Sequence, residues 1–143
     1  MILPDINLLI HAHNLESPRH EGARQWWDDA LAGTVGIGLA WVTLLGFIRI
    51  CTHRGILLRP MTPAGACSRV REWLTLPHVH LALPAQGHFE RLSAHLSQLG
   101  TAGNLTTDAH LATLAMERGY VLCTTDSDFV RFPGLKWRNP LEP

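Results

Sequence analysis

Apolar positions along this chain follow two rhythms: short unbroken runs, and longer stretches in which they recur at every third or fourth place. The first suits a strand buried on both faces, the second an amphipathic helix. The pattern predicts a strand over 2–5, a short helix near 7–13, and a helix over about 18–32 opened by Ser17-Pro18, where serine caps and proline occupies the first turn. A strand over 34–39 follows, then a helix from Trp41 to about 52, on the spacing of Val42, Leu45 and Ile48. Thr62-Pro63 opens a helix to about Leu76, Val79 to Leu83 reads as a strand, and Pro84 begins a helix ending near Gly100. A helix over 104–118 closes at Gly119, a strand over 120–124 comes next, and Leu135 to Asn139 is expected as an edge strand. Strands alternating with helices, and strands that are apolar throughout, predict an α/β domain with a mostly parallel central sheet covered on both faces. At 143 residues, with no repeat or linker, the chain reads as one domain over 1–143.

Composition removes several function classes. Twelve basic residues balance twelve acidic ones, so no strongly cationic nucleic-acid or membrane surface is implied. Cys51, Cys67 and Cys123 are odd in number and form no C-x-x-C, which argues against a disulfide framework or cysteine zinc site and fits a cytoplasmic, reducing setting. The N-terminus lacks the basic start and long apolar stretch of a signal peptide. The uncharged run from Ala30 to Ile48 is nineteen residues long, near the length that spans a bilayer, but its character changes from strand to helix within the run, so no membrane span is expected.

Three acids fall at telling places. Asp5 ends the first apolar run, Ile2-Leu-Pro-Asp5, and Asp126 and Asp128 follow the run that starts at Tyr120. In a parallel sheet, residues just past the strands share the carboxyl edge, where α/β domains place their sites. In Asn104-Leu-Thr-Thr-Asp-Ala-His-Leu-Ala, Asp108 shares a helix face with Leu111, Ala112 and Ala115. A carboxylate on an apolar stripe needs something positive to meet it, and no lysine or arginine lies in the preceding dozen residues, so a metal ion is a natural partner. Oxygen-only ligands suit Mg²⁺ or Mn²⁺, which can activate water and neutralise charge on a phosphoryl group. Each acid alone has a structural alternative: Asp5 could cap the following helix, Asp108 could favour a helix N-terminus, and Asp126 or Asp128 could cap a final turn.

Together these segments resemble the PIN-domain ribonucleases, and within them the VapC-type toxins of bacterial toxin–antitoxin pairs. The matching pieces are Ile-Leu-Pro-Asp-Ile-Asn-Leu-Leu, Gly-Asn-Leu-Thr-Thr-Asp-Ala-His-Leu-Ala, Leu-Cys-Thr-Thr-Asp-Ser-Asp-Phe-Val-Arg-Phe, Trp-Val-Thr-Leu-Leu-Gly-Phe-Ile-Arg and Phe-Pro-Gly-Leu-Lys-Trp-Arg-Asn-Pro. The resemblance implies a three-layer PIN-like fold and a divalent-metal-dependent endoribonuclease leaving a 5′-phosphate. It implies that Asp5, Asp108 and Asp126 hold Mg²⁺ (or Mn²⁺), with Asp128 as a further or supporting acid and Asn7 and Thr125 as polar supports. It also implies a homodimer, a cognate antitoxin, and a transfer or ribosomal RNA as substrate. The chain departs from the family in one place: the family commonly has T-x-x-E-F-x-R, whereas Thr43-Leu-Leu-Gly46-Phe47-Ile-Arg49 has glycine for glutamate. No other acid occurs between Asp29 and Glu72, so the resemblance implies a site with one carboxylate fewer and weaker, more substrate-dependent metal binding.

Other features change the picture little. Nine histidines, with His11-x-His13 and His78-x-His80, are expected on surfaces and loops, because zinc needs three or four converging ligands. Arg49, Arg131 and Arg138 are candidate phosphate contacts. Trp26 and Trp27 are adjacent on one helix and cannot both face the core, so one is expected at a partner surface. Two rival readings are a catalytically silent module binding RNA or protein, and a haloacid-dehalogenase-like phosphatase. The latter would want aspartate at position 7 and a lysine before the last acids, and the only lysine is Lys136.

Overall fold

Ile2–Pro4 (β1), Ile37–Ala40 (β2), Val79–Ala82 (β3), Val121–Cys123 (β4) and Trp137–Arg138 (β5) lie side by side in the order β3-β2-β1-β4-β5, and every neighbouring pair is parallel. This computed structural model describes all 143 residues. The helices are Ile6–His13 (α1), His20–Ala32 (α2), Trp41–Cys51 (α3), Pro63–Leu74 (α4), His88–Leu99 (α5) and Thr106–Arg118 (α6), with short 3₁₀ turns at Gly103–Leu105 and Ser127–Arg131.

Successive strand residues face opposite layers, as the pleat requires. Ile2, Ile37, Leu39, Val79 and Cys123 join one core with residues of α1 to α4, among them Leu8, Leu9, Trp27, Phe47 and Trp73. Leu3, Ala40, Ala82 and Leu122 join a second core with α6, Phe129 and Phe132, against which Leu92 and Leu96 of α5 also pack. The result is the expected three layers. The tryptophan pair divides accordingly: Trp27 is a core residue and Trp26 is half-buried at its margin.

Several boundaries differ from the sequence expectation. Asp5 lies outside β1, because its side chain caps α1 by accepting the Ile6 N–H. The strand expected over 34–39 is Ile37–Ala40, and the helix expected from 18 starts at His20. The helix expected from Pro84 starts at His88, because Gly87 takes a left-handed conformation (φ 82°) that no helix contains. The uncharged run from 30 to 48 is divided among the end of α2, β2 and α3, and no helix is long and apolar enough to cross a membrane.

The strand order has one reversal. From β1 the chain adds β2 and β3 on one side, then crosses to place β4 and β5 on the other. The carboxyl ends of β1 and β4 therefore flank the switch point, where crossovers leaving in opposite directions open a crevice.

Candidate acidic site

Asp5 follows β1 and Asp126 follows β4, so adjacent parallel strands deliver them to that crevice. The Asp5 N–H donates to the Cys123 carbonyl (2.9 Å), continuing the ladder to the carboxylate itself. Thr124 is the hub of the site. Fully buried, it donates its hydroxyl to Asp5 Oδ2 (2.8 Å), and its oxygen accepts from Asn7 Nδ2 (3.1 Å) and the Asp126 N–H (3.0 Å). Asn7 also donates to Asp5 Oδ2 (3.1 Å) and accepts the Thr125 N–H (3.3 Å), cross-linking the two strand ends. Asp126 Oδ1 accepts the Asp128 N–H (2.9 Å), so this acid also caps the 3₁₀ turn that follows.

Asp108 comes to the same place from α6. Burial and the charges of Asp5, Asp126 and Asp128 push its carboxyl up to about 6. Burial likewise raises Asp5, partly offset by the bonds from Thr124 and Ile6 and reinforced by Asp126. The four acids thus share one field, and none forms an ion pair with lysine, arginine or histidine. An all-oxygen donor set with uncompensated negative charge fits a hard divalent cation by its chemistry. Three such side chains are not, however, drawn together into a ready-made ligand group.

Two expected details take a different form. The hydroxyl supporting Asp5 is that of Thr124, while Thr125 contributes its backbone N–H; the signal available in the sequence was that Thr124, continuing β4, turns its side chain inward. At Gly46, which is buried, a Cβ would overlap Ile6 Cδ1 and come within 2.9 Å of Ile6 Cγ1. The side chain of Ile6, next to Asp5, fills that space. Arg49, Arg131 and Arg138 are exposed and outside every ion pair. Not all the histidines are peripheral: His20 is buried, His13 packs on Phe47 and Trp73, and His88 and His110 hydrogen-bond to each other at 2.9 Å between α5 and α6. No zinc-type cluster results.

Comparison with known proteins bears on the family and the fold. Residues 2–135 match the profile of the PIN domain. Ribonuclease VapC33 of Mycobacterium tuberculosis is 43% identical over 141 residues, covering 99% of each chain. Ribonuclease VapC37 of the same organism is 40% identical over 140 residues, covering 98% of this chain and 97% of the relative. Among solved structures, VapBC-1 from nontypeable Haemophilus influenzae superposes with a TM-score of 0.68 at 16% identity, over 99% of this chain and 100% of the other. VapBC2 from Rickettsia felis, bound to a DNA fragment from their promoter, superposes with 0.67 at 17% identity, over 97% and 98%. At such identities these two structures show a common fold.

Proposed function

The chain belongs to the PIN-domain family, and on that premise we propose that it is an endoribonuclease, the toxin of a toxin–antitoxin pair, acting at the acids gathered where β1 and β4 end. The observation that carries this reading is the placement of Asp5 and Asp126 just past the ends of adjacent parallel strands at the switch point, with Asp108 in their field. Relatives named as ribonucleases over the full length of the chain supply the reaction class. Asp5, Asp108 and Asp126 would hold a divalent ion, Mg²⁺ or Mn²⁺, with Asp128 beside them. Such an ion supplies an activated water and neutralises charge on the scissile phosphate.

The protein's own groups do the positioning. Thr124 and Asn7 fix Oδ2 of Asp5, and the Ile6 N–H (2.7 Å) fixes Oδ1, so this carboxylate is oriented before anything binds. The Asp126 carboxylate is held from below by its own turn. Exposed Arg49, Arg131 and Arg138 are the cations available for RNA phosphates. The RNA is a transfer or ribosomal species. An antitoxin partner follows from the toxin reading, and a homodimer would cover Trp41 and Leu45, exposed at 53% and 59% one turn apart on α3. Three free cysteines suit the cytoplasm.

A second reading, a silent RNA- or protein-binding module, is favoured by the glycine at position 46 and by acids not drawn into a ready-made ligand group. Induced expression of wild type and Asp5→Asn, followed by inspection of total RNA, separates the two. The ribonuclease reading expects growth arrest and cleaved RNA with wild type alone; intact RNA and equal growth in both would end it.

A further inference from the structure

Across α6 from the acidic site lies a second polar cluster that the reading above leaves unused. Glu117, whose side chain is only 2% exposed, accepts at Oε1 the Ala85 N–H (2.9 Å) and His88 Nδ1 (2.6 Å), while Arg91 Nη1 stands 3.3 Å from Oε2. His88 Nε2 meets His110 Nδ1 at 2.9 Å. The proton order follows from the acceptor at the end. A carboxylate accepts only, so His88 donates from Nδ1, and its Nε2 shares one proton with His110 Nδ1. His110 and Glu117 are seven residues apart, two turns along one face of α6. A single residue of α5, His88, therefore bridges both turns.

The first turn of α6 needs such a tie. It carries Asp108, which faces three other acids. Its entry is weak: Leu105 makes no side-chain cap bond, and a 3₁₀ turn with Gly103 at φ 49° precedes it. His110 stands two residues beyond Asp108, about 200° around the helix, so it grips the turn from the opposite side.

We infer that the chain His110–His88–Glu117 positions Asp108, with His110 as a positioning residue that pins the first turn of α6 to α5 and so keeps that carboxylate within reach of the other acids. The inference rests on Asp108 belonging to the functional site. It assigns His110 no contact with substrate or metal.

The test compares wild type, His110→Leu and His110→Asn in two measurements: amide hydrogen exchange of residues 106–110, and calorimetric titration with Mn²⁺. Leucine removes the tie and keeps the packing; asparagine places an amide, able to donate or accept, near where the imidazole Nδ1 stood. In His110→Leu, exchange at 106–110 should speed up about tenfold while residues 111–118 change little. Loss of a supporting partner at a metal site weakens affinity by about 10–100-fold, and the lower part of that range is expected here. His110→Asn should restore both properties. The inference is overturned if His110→Leu matches wild type at 106–110, or if His110→Asn is as impaired as leucine. Loosening spread evenly over all of α6 would overturn it too, since that marks general destabilisation. Should wild type neither cleave RNA nor bind Mn²⁺, the ribonuclease reading falls, and exchange at 106–110 still decides whether the tie holds the turn.

Discussion

Two carboxylates on α6 live in opposite surroundings. Glu117 is buried among partners: an N–H, an imidazole and a guanidinium all turn toward it. Asp108, half-buried on the other side, meets only further acids, and its carboxyl is pushed up to about 6. The fold gives Glu117 two hydrogen bonds at Oε1 and a guanidinium beside Oε2, and pairs Asp108 with no cation. A buried charge that serves architecture is matched within the chain, whereas one that awaits a ligand stands among like charges at a structural cost.

That contrast can be broken by substitution. The largest effect is expected at the unmatched acids: Asp126→Asn should lower RNA cleavage by more than about a hundredfold, several kcal/mol of transition-state stabilisation being at stake. Its urea midpoint should stay equal or rise, since a repulsive charge is removed. Cleavage of a defined RNA beside equilibrium unfolding checks both halves. Glu117→Ala should do the reverse to the fold, costing about 2–3 kcal/mol by leaving His88 and the Ala85 N–H without their common acceptor and Arg91 without its counter-charge. A drop in urea midpoint below 0.5 kcal/mol equivalent would show the matched acid to be dispensable.

A smaller effect is expected at Gly46. Because Ile6 occupies the space beside it, Gly46→Glu alone should cost roughly 1–3 kcal/mol by overpacking. Paired with Ile6→Ala, it should regain stability and bind Mn²⁺ more tightly than Ile6→Ala alone. Calorimetry on the RNA-free protein decides this, and equal affinities would mean that position 46 does not face the ion.

The smallest effect is electrostatic and has a definite sign. The folded pKa of Asp108, about 6, lies above its ordinary 3.8, so the folded state holds this proton more tightly than the unfolded chain does. The resulting stabilisation is complete below about pH 3.8 and is lost as pH rises through about 6. In metal-free protein, the thermal midpoint of wild type should therefore decline over that window more than that of Asp108→Asn. Solvent screening of a half-exposed group keeps the difference within about 1 kcal/mol. Parallel midpoint curves for the two proteins would remove the repulsion.

What could be read in the sequence was local. Strand ends placed Asp5 and Asp126, and helical spacing placed Asp108, because each rests on a short-range period. Thr124 and Thr125 differ only in which way the backbone turns them, so the local pattern does not distinguish the hydroxyl that meets Asp5 from its neighbour. Pro84 signals a possible helix start, but the left-handed Gly87 interrupts the helix there and delays α5 to His88. Contacts between distant positions left no trace in any local pattern. Ile6 over Gly46 and the chain from Glu117 through His88 to His110 appear only once helices are packed.

The bond between Thr124 and Asp5 spans 119 residues of chain. Ribosomes add roughly 5–20 residues per second, so after Asp5 is made roughly 6–24 s pass before its anchor exists. Throughout that interval β1, the central strand, has β2 at most beside it and lacks β4, and the acids that would cut RNA have no common edge on which to meet. A ribonuclease acting at these acids would therefore be inert beside the ribosome's own RNA for as long as it is being made.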